Sequence, residues 1–221
     1  DRSVSRGLGD VYKRQIMTQK ELMLSGELYN ASSDDSLYPD YVKARNILSK
    51  LNTMPFDDLS RKELINNLFG KIGKDCAIIT PVYCDYGSNV YIGDRFFANY
   101  DCIFLDVCPI TFGNDVFVGP RCTFATACHP TDYLTRNEHL ESGKPITVGS
   151  NVWFGANVTV LPGVTIGEDV VIGAGSVVTK DIPSHTICVG NPCHVIREIT
   201  NEERQYWRGQ GKKWHDMFDN K

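Results

Sequence analysis

His129 stands immediately before Pro130, at the point where an otherwise regular six-residue repeat is interrupted. An imidazole in its ordinary state titrates near neutrality, so it can take a proton from an alcohol and return it to a leaving group, as transfer of an acyl group to a hydroxyl requires. A ring on the rim of a stiff scaffold, beside an irregular segment, is placed where reacting groups tend to sit. A surface or packing role stays open for a lone histidine, and more so for His139, His185, His194 and His215. The eight cysteines form no Cys-x-x-Cys pair. Cys102 and Cys108, like Cys122 and Cys128, are six apart, and Cys84 and Cys102 are eighteen apart. They read as small thiols stacked in the core of a reduced, cytoplasmic protein, and neither disulfides nor a metal site is expected.

What must position His129 is the repeat itself. Large apolar residues recur at Val148, Phe154, Val160, Ile166, Ile172 and Val178, and a second series of smaller buried types at Val152, Val158, Val164, Val170, Ser176 and Ile182. Members of the two series lie two apart, which puts each pair on one side of a very short strand. Between pairs come Gly149, Gly155, Gly167 and Gly173, with Ser150-Asn151 and Glu168-Asp169 following, residue types that tolerate tight or left-handed backbone. Three such sides make a coil of eighteen residues, and stacked coils bury a column that no single repeat could bury alone. The spacing predicts a mainly β protein built on a parallel β-helix. The same grammar runs upstream through Ile92-Gly93-Asp94 and Phe112-Gly113-Asn114-Asp115, with one excursion over residues 130–145.

Around the solenoid the pattern turns helical. Thr18 to Glu21 is a capping box for a short helix ending at Gly26. A second helix is expected from Pro39 with Tyr41, Ala44, Ile47, Leu48 and Leu51 on one face, and a third from a capping box at Ser60 to Glu63, burying Leu64, Ile65, Leu68 and Phe69. These three are expected to cover the open end of the prism. Thr200 to Glu203 caps a last helix whose Tyr206, Trp207, Trp214 and Phe218 pack or dock on a neighbouring coil or subunit. The expected division is therefore a non-native leader at 1–16 without function, a helical region at 17–71, the β-helix at 72–197 and the C-terminal helix at 198–221. No apolar run reaches the ~18 residues of a membrane span. With 221 residues, 42% hydrophobic content and a net charge of −4, neither membrane nor nucleic acid is expected as a partner.

A set of ordered motifs adds to this reading. Ser25-Gly26-Glu27-Leu28-Tyr29, Asp85-Tyr86-Gly87-Ser88-Asn89, Phe97-Ala98-Asn99-Tyr100-Asp101, Leu105 to Ile110, Ala127-Cys128-His129-Pro130 and Gly190-Asn191-Pro192 together resemble the maltose and galactoside O-acetyltransferases. The resemblance covers residues 18–199. It implies a left-handed coil, a homotrimer with active sites between subunits, acetyl-coenzyme A as donor and a small sugar as acceptor. His129 matches the family's general base. Asn99 matches a residue that orients the acceptor and steadies developing negative charge. Asp85, Asp106, Tyr86, Phe97 and Asn30 match acceptor-pocket positions, Asn30 where galactoside enzymes carry an aspartate. Ala156 matches a position whose backbone N–H polarises the thioester carbonyl. Ala174, Thr179, Lys180 and Arg197 match further coenzyme A contacts, Trp153 lines the same channel, and His194 stands where relatives carry arginine. The loop from Thr131 to Lys144 is expected to select among acceptors.

Rival readings divide by class. A γ-type carbonic anhydrase on the same scaffold needs three histidines converging on zinc, and the paired spacing is missing here. A sugar-nucleotide transferase needs a preceding nucleotide-binding domain with a glycine-rich phosphate loop, for which the stretch before the coils is too short. A trimeric scaffold without catalysis, or an acetyltransferase for another hydroxylated acceptor such as a galactoside, a lipo-oligosaccharide or an antibiotic, stays open.

Overall fold

The computed structural model describes residues 17–218; the reading of residues 1–16 falls outside them. The coils form a three-sided prism. Its first face stacks Ala77–Ile78, Phe97–Ala98, Phe117–Val118, Trp153–Phe154, Val171–Ile172 and Thr186–Val189, and ends in the antiparallel strand His194–Glu198. The second stacks Val82–Cys84, Cys102–Leu105, Thr123–Ala125, Thr159–Val160 and Val177–Val178. The third stacks Val90–Ile92, Ile110–Phe112, Ile146–Val148 and Thr165–Ile166. The chain visits the faces in that order, so every apolar member of the six-residue series ends in one continuous core; all twelve of those positions are buried. Ser176, the polar exception, donates to the Gly173 carbonyl at 2.6 Å and accepts from the Gly190 N–H at 3.1 Å.

The period is less uniform than the C-terminal repeats suggest. Trp153 pairs with Val171, eighteen residues on, but Val82 pairs with Cys102 and Val90 with Ile110, each twenty residues on. Cys84 therefore stacks on Phe104 rather than on Cys102. Six of the eight cysteines are buried as expected, and burial pushes the thiols of Cys102 and Cys122 up to about 12 and about 11, which keeps them protonated and inert. The added room of the longer coils is filled by aromatics. Phe124 lies parallel to Phe104 at 5.6 Å and meets Phe112 and Phe154 edge-on at 4.9 and 5.2 Å.

The corner glycines serve stacking more than dihedral freedom. Among the repeat glycines the left-handed residues come two positions later, at Asn151, Asn157, Asp169 and Gly175. Gly149 instead lies so close to the next coil that a Cβ there would sit 2.7 Å from the carbonyl carbon of Gly167. At the same edge, side chains form a ladder between coils: Asp94 N–H donates to Asn114 Oδ1 at 2.8 Å and Asn114 N–H to Ser150 Oγ at 3.0 Å.

The first helix, α1 (Gln19–Ser25), has the capping box and the left-handed Gly26 that its sequence predicts. In α2 (Tyr38–Leu51), Ala44, Leu48 and Leu51 are buried. The third, α3 (Arg61–Leu68), forms without its capping box, because the Ser60 hydroxyl and N–H both donate to Asp58 Oδ1, at 2.6 and 2.9 Å. α2 and α3 share the core of the first coil and so cover the open end; α1 does not, and packs instead in a separate cluster with Tyr29, Leu37, Tyr86 and Val107. The excursion carries α4 (Tyr133–Asn137), and α5 (Asn201–Phe218) closes the chain. α5 is capped by Thr200, tied down by Arg204 to Asp169, and buries none of its aromatics within the chain. Among the described residues no helix is long and apolar enough to cross a membrane.

Truncating the centre of the aromatic column should show how much the prism depends on it. Phe124→Ala is expected to cost about 3–5 kcal/mol, read as a lower denaturant midpoint with an unchanged slope.

Candidate active site

After Thr123–Ala125 the chain leaves the prism as a paired arm. Ala127–Cys128 runs antiparallel to Ser142–Gly143, with Cys128 opposite Ser142. Asp132 caps α4 at the tip by accepting from Thr135 N–H at 2.9 Å, and Arg136 Nη1 donates to the Pro130 carbonyl at 2.8 Å. The N-terminal segment clamps the other leg: Tyr29 and Glu141 exchange two backbone hydrogen bonds of 2.9 and 3.0 Å, and Asn30 Nδ2 donates to the Glu138 carbonyl at 2.9 Å. The predicted irregular loop is thus an arm fixed along both legs.

His129 sits where that arm departs. Its Nδ1 is 3.3 Å from the Leu140 carbonyl, which accepts only, so this contact favours the tautomer with hydrogen on Nδ1 and the lone pair on Nε2. Nε2 lies 4.0 Å from Glu141 Oε2. The ring is about half exposed and lines an open groove of about 540 Å³ with Asn30, Arg136, His139 and Glu141. Glu141 lay outside the sequence reading; it is twelve residues from His129, and only the pairing of the arm's legs brings the two together.

Asp85 and Tyr86 line an adjoining recess rather than the groove itself. Burial raises the Asp85 carboxyl above its usual range, against the opposing pull of Arg45, whose guanidinium is 3.6 Å away. Asp106 is a different case and corrects the expectation of an acceptor-pocket carboxylate. It is fully buried, and its oxygens accept from the backbone N–H groups of Asp85 at 3.0 Å, Tyr86 at 2.9 Å and Asn89 at 3.2 Å. At that corner Val107 faces the recess. Asp106 therefore holds the Asp85–Asn89 turn in shape, and burial pushes its carboxyl up to about 7 in spite of those three donors.

The remaining candidates lie elsewhere on the prism. Asn99, Ala156 and Ala174 follow first-face strands and occupy the edge between the first and second faces. Asn99 Oδ1 accepts from Tyr100 N–H at 2.8 Å, and the Ala156 N–H has no acceptor among the described residues. Phe97 and Trp153 pair in register with Phe117, which the sequence reading passed over; Phe117 and Trp153 are 51% and 56% exposed, so an aromatic ladder faces outward. Asp85, Thr179 and Lys180 instead follow second-face strands and lie along the next edge, from which the arm carrying His129 departs. Arg197 is on the terminal hairpin, where both guanidinium arms meet Glu203 at 2.6 and 3.0 Å, and exposed His194 turns Nδ1 to the Pro192 carbonyl at 3.3 Å. One chain thus places these two sets of candidates on separate edges.

Residues 145–180 match the bacterial transferase hexapeptide (six repeats) family, and residues 22–73 match the maltose acetyltransferase hexapeptide capping motif. A maltose O-acetyltransferase from Clostridium difficile 630 is 47% identical, superimposes with a TM-score of 0.81, and is matched over 84% of this chain and 99% of its own. The chain belongs to the maltose and galactoside O-acetyltransferase family. A galactoside acetyltransferase in complex with coenzyme A is 35% identical with a TM-score of 0.82, over 85% of this chain and 94% of the other. A hexapeptide-repeat acetyltransferase of Vibrio cholerae O1 biovar eltor, complexed with acetyl-coenzyme A, is 34% identical with a TM-score of 0.78, over 84% and 100%. The capping match spans α1 to α3, which in this acetyltransferase both close the prism and clamp the His129 arm.

Asp106 gives this acetyltransferase a testable electrostatic signature. Asp106→Asn replaces one of the two acceptor oxygens by an NH2 donor facing N–H groups and should cost about 1–3 kcal/mol. Its folded value of about 7 lies above the ordinary 3.8, so the folded chain holds the proton more tightly. The group's stabilising contribution is complete below pH 3.8 and is lost as pH rises through about 7. Denaturation midpoints of the wild type should fall across that window relative to those of the Asn variant.

Proposed function

We propose that this chain moves an acetyl group from acetyl-coenzyme A to a hydroxyl of a sugar such as maltose or glucose, at a site shared between two copies in a homotrimer. The observation that carries the reading is the His129 ring: Nδ1 held by the Leu140 carbonyl and Nε2 open to a polar groove. In that tautomer Nε2 takes the proton of the acceptor hydroxyl as its oxygen attacks the thioester carbonyl carbon. The carbon–sulfur bond then breaks, and the imidazolium returns the proton to the departing thiolate, so the ring ends as it began. Negative charge develops on the carbonyl oxygen, and the two donors suited to it are the Asn99 amide and the unengaged Ala156 N–H.

Two observations support the shared site. Asn99 and Ala156 lie on a different edge from His129, so a neighbouring copy has to supply one half, and the outward aromatic ladder of Phe117 and Trp153 offers apolar surface for that contact. Thr179 and Lys180, exposed on the His129 edge, suit the donor's polar arm and phosphates; Arg197 suits them once it exchanges Glu203. The acetyltransferase family and the coenzyme A complexes of the neighbouring structures agree with this assignment of donor.

Thiol release from acetyl-coenzyme A across a panel of sugars tests the proposal. Turnover with maltose or glucose is expected, and His129→Ala should lower kcat/KM by about 10²–10⁴ without changing oligomer size. Silence across a millimolar panel, together with failure to bind coenzyme A, would replace this reading with a non-catalytic scaffold. The sharing of the site has its own test. Co-expressed His129→Ala and Asn99→Ala chains should recover activity that neither variant has alone, because some interfaces then join an intact His129 to an intact Asn99; no recovery would place both groups in one chain's site.

A further inference from the structure

At the end where the chain enters the prism, the three stacks of strands do not begin alike. The second begins at Val82, whose N–H and C=O are met by the side-chain amide of Asn52, at 3.0 and 2.9 Å. The third begins at Val90–Ile92, where the Lys71 carbonyl accepts from the Ile92 N–H at 2.9 Å and the Lys71 N–H donates to the Val90 carbonyl at 3.3 Å. The first has no such cap. Ala77 and Ile79 donate to the next coil, at the carbonyls of Phe96 and Ala98, so the parallel ladder turns the Ile78 N–H and C=O the other way. There neither has a partner among the described residues. Ile78 is only 4% exposed, and main-chain groups so deeply placed are nearly always paired.

Ala77, Ile78 and Ile79 border a trench of about 920 Å³ that shares no residue with the His129 groove. Its apolar walls are Phe56, Leu59, Ile65 and Ile72, of which Leu59 is 94% and Phe56 70% exposed. Its rim is acidic. Asp57, Asp58, Asp75 and Asp94 stand there against Lys62 and Lys74, while Arg61 is buried and turned inward to the Leu51 and Met54 carbonyls and Thr80 Oγ1, at 3.2, 3.4 and 3.2 Å. Together the open edge, the apolar walls and the acidic rim select an occupant. A helix spends its main-chain groups internally and leaves Ile78 unpaired. A small apolar molecule does the same, and an anion meets the carboxylates. An extended peptide answers all three, with main chain to Ile78, alternate side chains against the apolar walls and basic groups at the rim.

We propose that the free edge of Ala77–Ile78 and the trench beside it bind an extended segment of another protein, added as one more strand at the start of the first face. The segment is apolar at alternate positions and flanked by lysine or arginine. This docking surface stands apart from the transferase reading and holds or falls without it.

The probe is a labelled synthetic peptide of alternating valine and threonine with a lysine pair at each end, followed by fluorescence polarisation against the full chain. Saturable binding is expected. Phe56 and Leu59 are exposed, so their truncation spares the core, and Phe56→Ala and Leu59→Ala should each raise Kd about fivefold or more. Methylating alternate amide nitrogens of the peptide, in one register or the other, keeps its side chains but removes the donor to Ile78 and should weaken binding about three- to tenfold. Exchanging its lysines for glutamates should weaken binding about tenfold. No saturation up to about 1 mM, or a Kd that neither the methylated peptides nor the two substitutions change, overturns the proposal. So does growth of the free protein into longer assemblies that Leu59→Ala abolishes, because the occupant of the edge is then a second copy.

Discussion

The close, in-register stacking of successive coils is the constraint on which the rest of the molecule depends. Each short strand is only two to four residues long, and alone it would order its backbone for almost no burial. Parallel pairing to the coils above and below makes those strands worthwhile, and it demands that corner residues such as Gly149 leave no Cβ in the way. Once the register is set, every corner position becomes a fixed point in space. Strand pairing holds Asn99 and Ala156 on one edge and fixes the next as the place where the arm carrying His129 departs.

Upon this scaffold the site is refined by hydrogen bonds that cross coils. Asp106 gathers three backbone N–H groups of the turn before it and thereby aims Asp85 and Tyr86 outward. The carboxylate does this at the cost of burial, visible in its upward displacement to about 7. Its neighbour Asp85 keeps contact with solvent and with Arg45. Two acids a coil apart thus divide the work, one shaping the recess and the other facing into it.

What could be read from residues alone follows the range of the interactions involved. The buried series from Val148 to Ile182 depends on a local period, and so do the α1 cap and the Ala44, Leu48 and Leu51 face of α2; all of them could be seen in advance. The Ser60 capping box could not be judged from its pattern, since Asp58, two residues earlier, competes for the same hydroxyl. Asp106 and Val107 are adjacent and point opposite ways, so choosing which one faces the recess requires knowing the strand's phase at the corner. Glu141 and the docking of α1 depend on pairings that span 14 to over 100 residues, of which the local pattern carries no trace.

The N-terminal helices and the His129 arm are coupled by one short piece of main chain. Tyr29 and Glu141 exchange both of their backbone hydrogen bonds, while the Tyr29 ring fills the small cluster beneath the recess and Met23 of α1 receives the Cys108 thiol through its carbonyl. The arm's Glu141 leg is fixed on the prism side by Ser142–Gly143 pairing with Ala127–Cys128 and on the other by Tyr29. Leu140, whose carbonyl orients His129, is the residue immediately before that bridge. A cap that only closed the end of the prism would need α2 and α3 alone. That α1 instead docks on the arm argues that the capping segment is kept as much to hold the imidazole's partner in place as to seal the core.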